Sequence, residues 1–288
     1  MTAASAIGLP SLAREVRRNR VLASGLAITV FVVLALVLGP YLSPYDPAKM
    51  DFTQLLRPPS LRHPFGTDSF GYDVLTRALH GGRISFAISV AGVSSAAVVG
   101  VLLGMTSAYL GRYVDAVAMR LVDLLFAFPV FVLALFLMLI LGFGVHNVIV
   151  AIALVYIPNF ARMARNTTMV IKGEPYVQAA QLMGQSTLRI LVREILPNIA
   201  AVLFVQFTVG LAFAVIIEAG LSFLGLGVQP PTPSLGTMMA NGKDYFQRGP
   251  WVLTLTGLWL TFAILGLNLL GDGLRDLLDP RLKRRAAA

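Results

Sequence analysis

Residues 124–161 read LLFAFPVFVLALFLMLILGFGVHNVIVAIALVYIPNFA, a run of 38 residues without one Asp, Glu, Lys or Arg. A helix needs about 20 apolar residues to cross the hydrocarbon core of a bilayer, so this run is too long for one crossing. Gly142, Gly144, His146 and Asn147 interrupt it near the middle. The run therefore predicts two membrane-spanning helices joined by a tight turn.

Four further uncharged stretches flank this run, at residues 21–42, 84–111, 195–217 and 249–271. Together they predict an all-α polytopic membrane protein with six transmembrane helices. The fourth helix has the weakest pattern, because Pro158 and Arg162 crowd its end. The first stretch is longer than the apolar region of a signal peptide, and no A-x-A-like site follows it. We therefore interpret the first stretch as a retained anchor.

The composition of the chain excludes most other classes of protein. Of its 288 residues, 57% are hydrophobic and 13% are charged, against about 45–50% and about 25% in an average globular domain. A soluble enzyme, a disordered chain and a collagen-like fibre are excluded. The chain has no cysteine, which excludes a disulfide framework and thiolate chemistry.

The distribution of basic residues predicts the orientation. Sixteen Lys and Arg lie in the two tails and in the segments after the second and fourth spans, and seven lie in the other connecting segments. Because Lys and Arg accumulate in cytoplasmic loops, this bias places both termini in the cytoplasm. The same bias explains the net charge of +9 without nucleic-acid binding.

The outer segment that precedes the second span is rich in Pro, Gly and Asp. Within it, Asp68 and Asp73 could form a polar knot with Arg77 over the helix bundle. A solvated loop closed by turns fits the same spacing equally well.

The inner segment at residues 162–197 predicts a short cytoplasmic helix over residues 176–183. Pro175 suits the first position of this helix, and Gly184 suits a left-handed end. Pro197 interrupts the helix that follows. The short helix carries apolar and small side chains on the cytoplasmic side, which fits docking into a groove of another protein. Folding back onto the chain's own bundle is the alternative.

Two groups of acidic residues are candidate sites. Glu218 lies well inside an apolar stretch, where a carboxylate is costly and often functional. With Ser222 and Phe223 it could line a pathway or hold a gate, or it could be structural. Asp272, Arg275 and Asp276 are spaced for ion pairs on one helix, and a hard cation would need more oxygen ligands.

No P-loop motif, metalloprotease motif or nucleophile elbow occurs in the chain. The chain therefore has no recognisable motif for binding the phosphates of ATP.

Several motifs resemble one transporter family. Gln178-Ala179-Ala180-x-x-x-Gly184, followed by Leu196-Pro197, resembles the EAA loop of ABC importer permeases. Gln178 departs from the usual Glu, and Glu194 stands where the general pattern favours Ile. The small residues and the glycine are kept.

Three further motifs resemble the dipeptide/oligopeptide/nickel class of these permeases. The first resembles the outer motif of the class, FGTD-x-x-G-x-D, with Gly66, Thr67, Asp68, Gly71 and Asp73. EAGLSFLGLG at residues 218–227 resembles its fifth-helix exit, and NLLGDGLRD at residues 268–276 resembles its C-terminal end. Tyr72 and Leu235 depart from the Arg and Trp that are common there. The resemblance covers essentially the whole chain, including the extra first helix of the C-type subunit.

The resemblance implies a type I ABC importer permease fold with a cytoplasmic coupling helix, in the bacterial inner membrane. The residues that it implies for coupling to an ATPase are Tyr176, Val177, Gln178, Ala179, Ala180, Leu182, Met183, Gly184 and Pro197. It also implies a heterodimer with a homologous permease, two ABC ATPase subunits that hold ATP and Mg²⁺, and an extracytoplasmic substrate-binding protein. The chain itself is expected to contact membrane lipid, to bind no cofactor and to catalyse no reaction.

We expect two regions, residues 1–83 with the first helix and the outer linker, and residues 84–288 as a five-helix permease core. Di- and oligopeptides are the expected substrates, and nickel or another small solute is the alternative. A stand-alone secondary transporter is an alternative from a different class. It would need several intramembrane charges, and Glu218 alone qualifies.

Overall fold

The computed structural model describes residues 19–278. Most basic residues of both tails, and the expected helix stop at Asp279-Pro280, lie outside the described residues. Within the described part the chain forms nine helices, which we number in chain order. They are α1 (Arg20–Leu42), α2 (Val74–Leu110), α3 (Arg112–Phe126), α4 (Val130–Leu141), α5 (Val145–Ile171), α6 (Pro175–Leu182), α7 (Thr187–Phe223), α8 (Leu235–Asp244) and α9 (Pro250–Leu278).

Five of these helices are long and apolar enough to cross a membrane: α1, α2, α5, α7 and α9. α3 and α4 pass the same test only as a pair that is bent by 91°, so the described residues hold five spans, or six if the pair counts as one. The prediction of an all-α membrane protein is confirmed, with five or six of its helical segments suited to crossing.

The second span begins ten residues earlier than expected. Asp73 accepts a hydrogen bond from the Thr76 backbone N–H at 2.7 Å, which caps α2 at its N-terminus. At 37 residues, α2 is about 55 Å long and exceeds the hydrocarbon thickness. Its first turns therefore project outward, and the expected division of the chain after residue 83 falls inside a helix.

The third span does not begin near residue 124 as expected. The run of uncharged residues extends from the end of α3 through α4 into α5, and Pro129 stands at the break between α3 and α4. α4 has only 12 residues, about 18 Å, and cannot cross alone. Two ion pairs hold α3 beside α5, Arg165 with Asp115 and Arg162 with Asp123. Because Arg162 directly follows the uncharged run that ends at Ala161, we place α3 at the cytoplasmic boundary.

The fourth span continues past Pro158 and Arg162, the two residues that weaken its pattern. Pro158 lies inside α5, which ends at Ile171 with Lys172 as its C-cap. Glycines on α2 let its backbone approach α5 closely: a Cβ on Gly104 would stand 2.2 Å from the Ala161 carbonyl oxygen. Such small-residue contacts are typical of helix packing in membranes. This pair forms the centre of the bundle, with α7 packed on it and α1 packed on α9.

The fifth span contains a π-turn at Leu191–Ile195, just before Pro197. A proline lacks the N–H for the regular helical bond and its ring clashes with the carbonyl four residues earlier. The wider turn accommodates it, and the Leu196 N–H bonds to the Leu191 carbonyl instead. Pro197 therefore distorts the helix without interrupting it, contrary to expectation.

Candidate functional site

The short inner helix α6 has the predicted ends. Pro175 occupies its first turn. At the other end, Gly184 has φ +73°. The Gly184 N–H bonds to the Gln181 carbonyl and the Gln185 N–H bonds to the Ala180 carbonyl, the two bonds of a Schellman motif. The sequence prediction of a left-handed end at Gly184 is confirmed.

One face of α6 packs on the chain's own bundle. Val177 and Ala180 are 0% and 2% exposed. They join a buried cluster formed by Met105 of α2, Ala164 of α5 and four residues of α7, which are Ile190, Leu191, Ile195 and Ile199. α6 is thus attached to three membrane-spanning helices at once.

The opposite side of α6 is uncovered within the described chain, and beside Gln178 and Gln181 it exposes several apolar side chains. Tyr176 is 41% exposed, Leu182 89% and Met183 71%, and Ala179 is exposed as well. The sequence interpretation placed both alanines at a contact with another protein. For Ala180 this is wrong, because alternate sides of the two-turn helix face the bundle and the solvent.

Polar contacts hold the flanks of α6. Lys172 donates from Nζ to the Tyr109 carbonyl at 2.5 Å, and Gln181 donates from Nε2 to the Tyr109 hydroxyl at 3.3 Å. Gln178, which replaces the Glu usual in the resembling motif, donates to the Gly173 carbonyl at 3.1 Å. Sequence reasoning missed Tyr109, because a lone tyrosine at a helix end carries no motif.

On the outer side, the motif FGTD-x-x-G-x-D folds into a compact knot above α2. Asp68 Oδ1 accepts the backbone N–H groups of Phe70 and Tyr72 at 2.9 and 3.0 Å. Burial raises the pKa of the Asp68 carboxyl, and these backbone bonds oppose the shift. Gly71 has φ +77°, and a Cβ there would stand 1.8 Å from the Asp51 carbonyl oxygen.

Side chains from α9 and from the preceding outer segment pack against the knot. The Thr67 carbonyl accepts a bond from Trp251 Nε1 of α9 at 3.0 Å, and Gly66 packs against the same indole. Asp73 pairs with His63 Nδ1 at 2.8 Å. Arg77 donates to the Pro47 carbonyl and lies over the Tyr72 ring, 3.9 Å from its centroid. Asp68, Asp73 and Arg77 thus share one polar knot, although Arg77 forms no salt bridge with either carboxylate among the described residues.

Glu218 lies fully buried near the outer end of α7, 0% exposed. Its Oε1 accepts a bond from Ser222 Oγ at 2.8 Å. Ser222 is buried too, whereas Phe223 is half-buried under Lys243, whose Nζ is 5.9 Å from the ring centroid. In this conformation neither Glu218 nor Ser222 faces an open pathway.

The polar cluster of α9 is not brought together as expected. Asp272, Arg275 and Asp276 are exposed, and among the described residues Arg275 forms no ion pair with either aspartate. Favourable spacing along an exposed helix leaves these long side chains free to remain solvated.

With this geometry established, comparison with known proteins decides the family. Residues 100–284 match the model of the binding-protein-dependent transport system inner membrane component, and residues 11–59 match the N-terminal transmembrane domain of oligopeptide transport permease C. The chain belongs to the binding-protein-dependent permeases. It is a permease component of an ABC importer and a multi-pass protein of the bacterial inner membrane.

Several similar proteins are named as permeases of peptide or glutathione transport systems. A di/tripeptide transport system permease of Pseudomonas aeruginosa is 40% identical over 274 residues, covering 93% of this chain and 90% of the relative. A dipeptide transport system permease of Alkalihalophilus pseudofirmus is 36% identical over 270 residues, covering 94% and 89%. A glutathione transport system permease of Escherichia coli is 39% identical over 271 residues, also covering 94% and 89%.

The fold of the permease also matches a solved structure. A chain of the inward-facing MetNI methionine ABC transporter superposes with a TM-score of 0.56 at 19% identity, covering 70% of this permease and 97% of that chain. The likeness confirms the type I importer fold.

Proposed function

We propose that this permease forms the transmembrane pathway of an ATP-driven importer of di- and oligopeptides, with α6 as its contact to an ATPase subunit. In this proposal it pairs with a homologous permease, and two ATPase subunits bind ATP and Mg²⁺ below the membrane. An extracytoplasmic binding protein delivers the peptide from outside.

The observation that carries the proposal is the division of α6 into two apolar faces. One face is buried with Val177 and Ala180, and the other exposes Leu182 and Met183. A helix of two turns is not stable alone in water, so its own bundle holds it in place. Large apolar side chains that are exposed on a fixed helix can fill pockets in the groove of a partner protein, which is how helix-in-groove contacts are anchored.

The packing of α6 supports a mechanical link to the pathway. Its buried face contacts α2, α5 and α7 together. Packed interiors are dense and transmit displacement instead of absorbing it. When the partner ATPases bind ATP and close, they would displace α6, and these three helices would move with it. This movement would switch the pathway between its inward-open and outward-open states, which is alternating access.

The names of the relatives support peptides as the substrate class. Three relatives that are 36–40% identical over most of this chain are named for dipeptides, di/tripeptides or glutathione, which is itself a peptide.

The experiment is site-directed crosslinking combined with uptake. Because the chain contains no cysteine, single cysteines can be placed at Leu182, Met183 and, as a control on the same helix, Val177. In the importer purified with the products of its neighbouring genes, Leu182→Cys and Met183→Cys should crosslink to an ATPase subunit, with a yield that changes on adding ATP. Val177→Cys should not, because it faces the bundle.

Vesicles containing the same importer should take up a labelled dipeptide only with ATP and the binding protein present. An importer that copurifies with no ATPase, or that takes up Ni²⁺ but no peptide, would contradict the proposal.

A further inference from the structure

Glu218 stands at the centre of a buried polar hub on the outer side of the permease. The hub consists of Glu218 and Ser222 of α7 with Ser85 of α2, and all three are 0–1% exposed. Ser222 Oγ donates to Glu218 Oε1 at 2.8 Å. The Ser85 hydroxyl faces the same carboxyl group from α2.

Each serine of the hub also holds one end of the outer loop that joins α7 to α8. The Val228 N–H donates to Ser222 Oγ at 3.3 Å, and the Leu235 N–H donates to Ser85 Oγ at 3.4 Å. The carboxyl group therefore lies between the two anchors of residues 228–235. Val228 and Leu235 are themselves buried, so both ends of the loop are sealed into the bundle.

The backbone around the hub is closely packed. A Cβ on Gly227 would stand 2.1 Å from Ser222 Oγ, and a Cβ on Gly236 would stand 2.2 Å from the Ala219 carbonyl oxygen. The glycines on either side of the loop are thus required for close approach to the hub. Through Ser85 the hub also contacts Leu235, the first residue of α8.

Only one of the two carboxyl oxygens of Glu218 has a hydrogen-bond partner among the described residues. Glu218 Oε2 is buried and makes no hydrogen bond with any described residue. The Ser85 hydroxyl accepts the bond from Leu235, and its own hydrogen is available to the carboxyl group that it faces. A buried acceptor without a partner is costly, so a movement of α7 against α2 that brought this donor to Oε2 would be favourable.

We propose that Glu218 is a positioning residue of the transport cycle, which fastens the outer loop 228–235 to α2 and α7 and so controls the outer end of the pathway. The proposal rests on the assigned role as an importer permease. Tightening the contact with Ser85 secures the loop, and releasing it frees the loop. No role in contacting the substrate is involved.

Hydrogen exchange of the complete importer in lipid nanodiscs directly tests whether the hub holds the outer loop 228–235. Because residues 230, 231 and 233 are prolines, the loop carries only five backbone N–H groups. The exchange rates of the Val228 and Leu235 N–H groups, at its two ends, are measured separately. Ser222→Ala should speed exchange at Val228, and Ser85→Ala should speed it at Leu235. Glu218→Leu should speed both by about tenfold or more, the effect of losing one buried hydrogen bond. Glu218→Gln keeps an acceptor and adds a donor, so its loop should exchange as in the unmodified importer.

The transport readout distinguishes positioning from general destabilisation. Glu218→Leu should still assemble and hydrolyse ATP, but should transport about tenfold less peptide per ATP if one buried hydrogen bond is lost. Val215→Ala, a buried change elsewhere on α7, should lower the melting temperature without altering loop exchange or transport per ATP. The inference is overturned if Glu218→Leu leaves loop exchange unchanged, or if Val215→Ala reproduces its loss of transport per ATP. Since exchange is measured without transport, a chain that is no importer would fail the uptake assay while the exchange pattern still held.

Discussion

At the scale of single residues, the two adjacent alanines of α6 have opposite surroundings. Ala180 is buried against the bundle and Ala179 is exposed. The resembling motif treats them as one pair, but a rotation of about 100° per residue sends their side chains in different directions. A bulky residue should therefore do different damage at each position.

Replacing Ala180 by Trp should destabilise the permease by about 1–3 kcal/mol, the usual cost of overfilling a packed core. Replacing Ala179 by Trp should leave the melting temperature of the isolated permease unchanged and weaken ATPase association instead. Thermal unfolding in detergent and copurification measure the two effects. Equal melting temperatures for both variants would show that Ala180 is not packed as described.

At the scale of elements, the junction of α3 with α5 depends on a two-pronged ion pair. Arg165 donates from Nε and Nη2 to the two Asp115 oxygens at 2.6 and 2.5 Å, and both side chains are largely shielded. The pair of Arg162 with Asp123 is more exposed and makes a single contact. Planar two-pronged pairs are stronger and more directional than single contacts.

Asp115→Asn should therefore destabilise the permease by about 1–2 kcal/mol, because a shielded, charge-assisted pair is broken. Asp123→Asn should cost at most about 1 kcal/mol, as expected for an exposed pair. A double-mutant cycle with Arg165→Gln measures the coupling energy. A larger coupling for the exposed pair would contradict this account of how α3 is fixed.

At the scale of the whole molecule, the orientation can be tested with single cysteines. Ser234 looks like an outer loop residue in the sequence, but it is fully buried as the cap of α8 and is unsuitable for labelling. Ser60 and Thr232 are exposed in outer segments, and Thr187 is exposed at the inner end of α7.

In sealed cells, cysteines at Ser60 and Thr232 should react with a membrane-impermeant maleimide, and one at Thr187 should react only after permeabilisation. The physical reason is the bias of Lys and Arg toward the cytoplasmic segments. Labelling of Thr187→Cys in intact cells would reverse the topology.

Much of this permease was determined by local sequence. Uncharged stretches predicted the crossings because the bilayer accepts few charges, and Pro175 and Gly184 predicted the ends of α6 because each has a restricted or permissive backbone. The family motifs predicted residues 176–184 as the coupling segment.

Only the tertiary structure decided how these elements meet. The break at Pro129 lies within one uncharged run, so the hydrophobic pattern could not separate α3 from α4. Asp115 pairs with Arg165 of another helix, and Ser85 reaches Glu218 from α2, so spacing along one helix cannot reveal these partners. Ala180 faces inward because three other helices converge on it. Hydrophobicity and backbone preference are properties of neighbouring residues in sequence, whereas burial and hydrogen-bond pairing exist only when separate helices pack together.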